Sequence, residues 1–174
     1  WVSSPERIAW LEQVVAAGYG APTYPSQWFG RAYPNKLAKV IAEEFRAAGA
    51  PGACQDRFSI PANTTLAFGT EALKSDLLHE FLTEKARTCL LYSEPGAGSD
   101  LAALTTRATK VEGGWRIDGQ KVWTSSAQRA DWGALLARTD PEAAKHRGIG
   151  YFLVDMSTPG ITIRPLRTAS GDEH

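Results

Sequence analysis

Thr88-Cys89-Leu90-Leu91-Tyr92-Ser93, running into Glu94-Pro95-Gly96-Ala97-Gly98-Ser99-Asp100, is the stretch on which the fold turns. A short apolar run ahead of a Pro/Gly turn reads as a strand. Upstream of it the apolar residues recur at helical spacing. Downstream they fall into short strands separated by turn residues. The chain therefore reads as α+β, with an N-terminal all-α domain over residues 1–88 and an incomplete antiparallel β-barrel over residues 89–174.

Upstream, Ser4-Pro5 is a helix start, a capping hydroxyl with proline in the first turn. Ile8, Leu11, Val14 and Val15 then share one helical face, and Gly18 and Gly20 end it. Residues 21–34 hold three prolines and Tyr24, Trp28, Phe29 and Tyr33, so they read as a structured loop packed by its own aromatics. The helical period returns from Asn35 through Leu37, Val40, Ile41, Phe45 and Ala48, and Gly49 and Pro51 stop it. The chain then reads as irregular through Pro61. Thr70 caps a further helix carrying Leu73, Leu77, Phe81 and Leu82. Downstream, residues 105–112 and 115–118 flank Gly113-Gly114, a two-residue hairpin signal. KVWTSS (121–126), WGALLAR (132–138), GIGYFLVD (148–155) and ITIRPL (161–166) read as further strands.

Composition narrows the function. Of 174 residues, 43% are hydrophobic, and Lys+Arg and Asp+Glu both number 19. The charge is balanced in each half, so the basic footprint of a nucleic-acid binder is missing. No apolar run approaches a membrane span, and no signal-peptide pattern opens the chain. Cys54 and Cys89 cannot make a disulfide framework. A soluble, cytoplasmic protein is the expectation. The first residue, Trp1, suggests a trimmed N-terminus.

Few motifs carry chemistry. In Ser93–Asp100 the small residues leave backbone N–H groups open to an anionic ligand. The loop lacks the third glycine of a dinucleotide fingerprint, the Gly-Lys-Ser/Thr of a P-loop and the spacing of a nucleophile elbow. The residues alone leave an ordinary loop and a ligand loop equally open. In Gln120–Ser126, strand geometry would put Trp123 and Ser125 on one face, where an indole and a hydroxyl suit a flat heteroaromatic ring. A barrel tryptophan beside a surface serine is the simpler account. His79, His146 and His174 are isolated, and no C-x-x-C or H-E-x-x-H occurs, so no metal site is expected. No Ser/His/Asp set can be assembled. His79 reads as solvated, and Glu43-Glu44 as surface charge.

SEPGAGSDLAALTTRA (93–108), WRIDGQKVWTSS (115–126), WGALLARTD (132–140) and GIGYFLVDMSTPGITIRPL (148–166) together resemble the acyl-CoA dehydrogenase family of flavoproteins. GAPTYPSQWFG (20–30) and FGTEALKSDLL (68–78) are similar to its helical half. The resemblance implies a helical N-terminal domain, a central β-barrel and a C-terminal helical bundle, with FAD between barrel and bundle. Leu90, Tyr92, Ser93, Trp123 and Ser125 would then be cofactor-binding residues. Ser125 stands for the family's usual threonine. Ser99 would contact substrate, and Glu94 and Asp100 would hold the loop in shape. The implied reaction is α,β-dehydrogenation of an acyl-CoA thioester in β-oxidation or related lipid metabolism, with electrons passing to an electron-transferring flavoprotein. A homo-oligomer is implied, a dimer or tetramer.

Two features depart from the family. Phe29-Gly30-Arg31-Ala32 replaces a Gly-Gly pair, and residues 54–65 match loosely. Both lie where the acyl chain would run, and some relatives acting on steroid-derived thioesters have a similar loop. The resemblance also puts the catalytic base in a C-terminal bundle absent from this sequence, so no catalytic residue is assigned. On that reading the isolated chain is inert and holds FAD weakly. The alternatives are a short non-catalytic subunit of a heteromeric dehydrogenase, or an oxidase or monooxygenase of the same superfamily.

Overall fold

A computed structural model describes residues 4–57, 59–169 and 171. The chain divides into two compact units, Trp1–Ala86 and Arg87–His174.

The first unit is helical. Helix α1 (Pro5–Ala16) begins where the Ser4 hydroxyl accepts from the Arg7 N–H, and its buried stripe is Leu11, Val14 and Val15. Gly18, at φ +76°, takes the chain out of the helix in a conformation that side chains resist. Residues 21–34 form the expected structured loop, with a single 3₁₀ turn at Ser26–Trp28. Tyr24 is buried and its hydroxyl donates to Asn63 Oδ1 at 2.7 Å. Thr23 donates from its backbone and hydroxyl to the Asp56 carboxylate. Phe29 packs on His79, with ring centroids 5.3 Å apart, so His79 is half-buried and not on a solvated face as expected.

Helix α2 (Asn35–Ala47) has the predicted period, but its only buried residue is Ala38. Leu37 and Val40 are exposed. Period reveals an apolar stripe but not how much of it the neighbours cover. Helix α3 (Ile60–Phe68) begins at the end of the stretch read as irregular through Pro61 and continues through residues given no reading. Its signal was present: Ser59 caps it and Pro61 sits in its first turn, the same chemistry as Ser4-Pro5. Helix α4 (Glu71–Leu82) is capped by Thr70 and buries Leu77, Leu78, Phe81 and Leu82. Leu11, Leu78 and Leu82 are fully buried, each contributing about 1.5–3 kcal/mol of transfer free energy. Arg7 grips Glu84 through two N–H groups at 2.7 and 2.8 Å, tying α1 to the end of α4.

Among the described residues, the second unit is one open sheet of five strands. These are β1 (Thr88–Leu91), β2 (Arg107–Val111), β3 (Gly114–Asp118), β4 (Trp132–Arg138) and β5 (Ile149–Asp155). The α+β class and the unclosed β-unit stand, but the sheet is mixed and not antiparallel throughout. β4 runs parallel to β1, from Thr88↔Trp132 to Leu91↔Leu135, and touches β2 in parallel at Arg107↔Arg138. β2–β3 and β4–β5 are antiparallel. Ala108, Leu135 and Ala137 form the core, with Leu91, Ile117, Phe152 and Val154 against it. β4 is central and buried on both faces, so its sequence reads as a continuous apolar run.

Three strand expectations need correction. The β2–β3 turn is Glu112-Gly113, since Val111 pairs with Gly114. Residues 121–126 are not a strand: Trp123 and Ser126 have φ of 58° and 62°, and left-handed residues break the two-residue alternation. Residues 161–166 belong to no strand and are exposed.

Glycine packing is selective. A Cβ on Gly30 would overlap the Tyr24 carbonyl, while one on Gly96 meets nothing within 4 Å. Gly30→Ala should therefore lower unfolding stability by about 3 kcal/mol, and Gly96→Ala by less than about 0.5 kcal/mol. Denaturant titration of the two variants checks this.

Candidate functional site

The second unit brings the two sequence motifs together. Strand β1 carries Leu90 out to solvent, and the chain continues through Tyr92 and Ser93 into the Pro95-Gly96 turn. Glu94 and Ala97 close that turn with reciprocal backbone bonds of 2.8 and 3.1 Å. Residues 121–124 return alongside. The Val122 N–H donates to the Ser93 carbonyl at 2.9 Å, and the Thr124 hydroxyl makes a long bond of 3.4 Å to the Leu90 carbonyl. The return path depends on Gly119, since a Cβ there would lie 2.7 Å from Thr106 Cα.

Beneath this junction lies a buried ion pair. Lys121 Nζ is 2.8 Å from Glu94 Oε1, with side chains only 8% and 4% exposed. The same ammonium donates to the Tyr92 carbonyl at 3.0 Å. Glu94 also accepts from the Thr105 N–H at 2.7 Å, the Thr105 hydroxyl at 2.8 Å and the Thr106 N–H at 2.9 Å. Burial alone pushes the Glu94 carboxyl up. The bonds from Lys121, Thr106 and Thr105 outweigh it and hold the group at about 2. Burial lowers the Lys121 ammonium, against the pull of Glu94. The Glu94 carboxyl is ionised at neutral pH because both of its oxygens accept from protein donors.

The remaining predicted residues fall at the surface of the junction. Trp123 is 78% exposed, its indole held out on a left-handed backbone. Ser125 follows it and is exposed, but not on a shared strand face. Such backbone costs about 1–3 kcal/mol per residue and gathers at functional sites. Tyr92 and Ser93 are half-buried, and burial raises the Tyr92 hydroxyl. Ser99 is exposed, past the turn, in a loop where neither Gly96 nor Gly98 has a neighbour within 4 Å of a Cβ. This open backbone, the indole face and the nearby hydroxyls are the donor set that suits a flat, phosphate-bearing cofactor. Glu94 shapes the loop, as expected. Asp100 contributes less: its pair with Lys145 is 3.4 Å long and exposed on both sides.

Sequence reasoning missed Lys121 and the two threonines. The second motif holds a single basic residue, Lys121, but the first holds two acidic ones, Glu94 and Asp100, so the sequence names no pair. His174 lies outside the described residues. The Cys89 thiol is pushed up to about 11 by burial, which leaves it unreactive.

The family model for the acyl-CoA dehydrogenase middle domain matches residues 89–174, the span that holds both motifs. The chain belongs to the acyl-CoA dehydrogenase family. It is 46% identical over 164 residues to acyl-CoA dehydrogenase FadE34 of Mycobacterium tuberculosis (strain ATCC 25618 / H37Rv), which covers 92% of this chain and 23% of that protein. Among solved structures, the Tcur3481-Tcur3483 steroid ACAD is 32% identical with a TM-score of 0.75, over 98% of this chain and 44% of that one. The ChsE4-ChsE5 complex from Mycobacterium tuberculosis is 31% identical with a TM-score of 0.74, over 99% and 47%. The chain thus spans less than half the length of each of these relatives. No helix among its described residues is long and apolar enough to cross a membrane.

The Glu94 pair makes stability pH-dependent. Its folded carboxyl lies below the ordinary value of 4.5, so the ionised form favours the fold. That stabilisation is complete above pH 4.5 and is lost as pH falls towards about 2. Glu94→Gln should flatten this acid limb and cost about 3 kcal/mol at neutral pH by stranding Lys121. Thermal unfolding followed across pH measures both effects.

Proposed function

We propose that this chain supplies the flavin-side wall of an FAD-dependent acyl-CoA dehydrogenase. The observation that carries the reading is the junction of residues 90–93 with 121–124, with Trp123 projecting beside it. The Trp123 indole would pack against the isoalloxazine ring, and the Ser125 hydroxyl would donate to its edge. Leu90, Tyr92 and Ser93 line the ring through backbone and hydroxyl groups. Ser99 offers its backbone to the thioester's pantetheine arm. When bound, FAD would supply the acceptor for a hydride from the β carbon of an acyl-CoA. An electron-transferring flavoprotein then takes the electrons. No residue of this chain is assigned the base for the α proton, so turnover belongs to the whole protein.

The two units are read as the family's helical and middle domains, in a cytoplasmic enzyme. The word steroid in one neighbour's title supports a bulky, ring-bearing acyl group as the substrate class. A second neighbour is titled as a complex of two named chains, which favours a companion subunit of the same family beside plain self-association.

Titration of the full-length gene product with FAD, followed by flavin fluorescence, tests the reading. Wild type should bind. Trp123→Ala should bind about tenfold more weakly, equivalent to roughly 1.4 kcal/mol of lost stacking. A wild-type protein that takes up no flavin rejects the proposal. A panel of acyl-CoAs then tests the substrate class by flavin bleaching, with ring-bearing thioesters expected to outpace straight chains.

A further inference from the structure

We propose that Lys121 is a positioning residue that sets the conformation of Trp123, through a buried clamp on the Tyr92 carbonyl and the Glu94 carboxylate. The inference rests on the reading above that these segments face a flavin, and extends it to a residue that would not touch the flavin itself.

Lysine is almost never this buried unless paired, and pairing by itself explains little. A well-packed apolar pair in the same place is commonly as stable as a buried ion pair. What the ion pair adds is a fixed geometry. Lys121 spans two acceptors on the first segment, Tyr92 O at 3.0 Å and Glu94 Oε1 at 2.8 Å. The next residue, Val122, is tied to Ser93 by a backbone bond of 2.9 Å. Two residues on, the Thr124 hydroxyl reaches the Leu90 carbonyl. Regular antiparallel pairing continued from Val122–Ser93 would set Thr124 opposite Leu91. The reach to Leu90 is one residue longer.

Trp123 lies between these anchors, and its backbone takes up the mismatch at φ 58°. A bulky residue in that region persists only when its surroundings over-determine it. Lys121 is the buried half of that determination. The exposed half, the Thr124 bond, is long and can be broken by water. Glu94 in turn is locked by Thr105 and Thr106, so the clamp is anchored in the segment leading into β2. The chain of support runs from β2 through Glu94 and Lys121 to the indole.

The test uses the full-length protein labelled with fluorotryptophan. The Trp123 resonance is assigned by its loss in Trp123→Phe. In the flavin-free protein, Lys121→Met should shift or broaden that resonance, and FAD affinity should fall by about 10- to 100-fold, the usual cost of losing a residue that orients a ligand-contacting group. Arg87→Met is the control, because the Arg87–Asp131 pair lies in the same unit but outside the junction. It should leave both readouts unchanged even where it lowers the melting temperature equally. Lys121→Arg keeps the charge but not the point geometry, so it should fold and displace the resonance to a lesser degree. An unchanged Trp123 resonance in folded Lys121→Met overturns the proposal. So does an equal affinity loss in Arg87→Met. If Lys121→Met does not fold, an unchanged resonance in Lys121→Arg overturns it in the same way. If wild type binds no FAD, the flavin reading fails, while the resonance still decides whether Lys121 holds Trp123.

Discussion

The β-unit depends on one buried contact, the pairing of Glu94 with Lys121. Each group is costly to bury alone, so each requires the other. The carboxylate also collects the N–H groups of Thr105 and Thr106. One side chain therefore joins the Pro-Gly turn, the entry to β2 and the segment after β3. Without it, three loops would leave the sheet with no shared anchor.

That anchoring explains how strained backbone survives at the surface. Trp123 and Ser126 both adopt left-handed conformations without being glycine. The sheet offsets the cost elsewhere, chiefly through the core of Ala108, Leu135 and Ala137 beneath it. A large indole exposed to water and a strained backbone are each unfavourable in isolation. Their coincidence beside an open glycine loop is what makes the junction the candidate site. The helical unit is organised differently. Its ion pairs, Arg7–Glu84 and Lys85–Glu12, join helix ends near the surface, while leucines carry the interior.

Much of this was legible in the residues. Ser4-Pro5 and Thr70 marked helix starts because capping is a local bond between a hydroxyl and a nearby N–H. The same chemistry is present at Ser59 and Pro61, where α3 has no matching expectation. The apolar run of WGALLAR announced a buried strand. Residues 161–166 also carry apolar alternation yet lie in no strand, because alternation records a capacity for pairing and not a partner. At the site, Glu94 was rightly read as holding the loop, but its partner was invisible. Lys121 and Glu94 are 27 positions apart, and no spacing rule links them.

The sequence by itself determined the α+β class, the helix caps of α1 and α4, the β2–β3 hairpin and the two motifs that place the chain in its family. All of these rest on bonds or periodicities within a few residues. Only the tertiary structure decided that the sheet is mixed, that α2 buries Ala38 and exposes Leu37, and that Trp123 stands on left-handed backbone away from the strand face shared with Ser125. Each of those outcomes depends on which distant segment arrives alongside. Burial, strand direction and a strained torsion are properties of that meeting, and no single segment carries them.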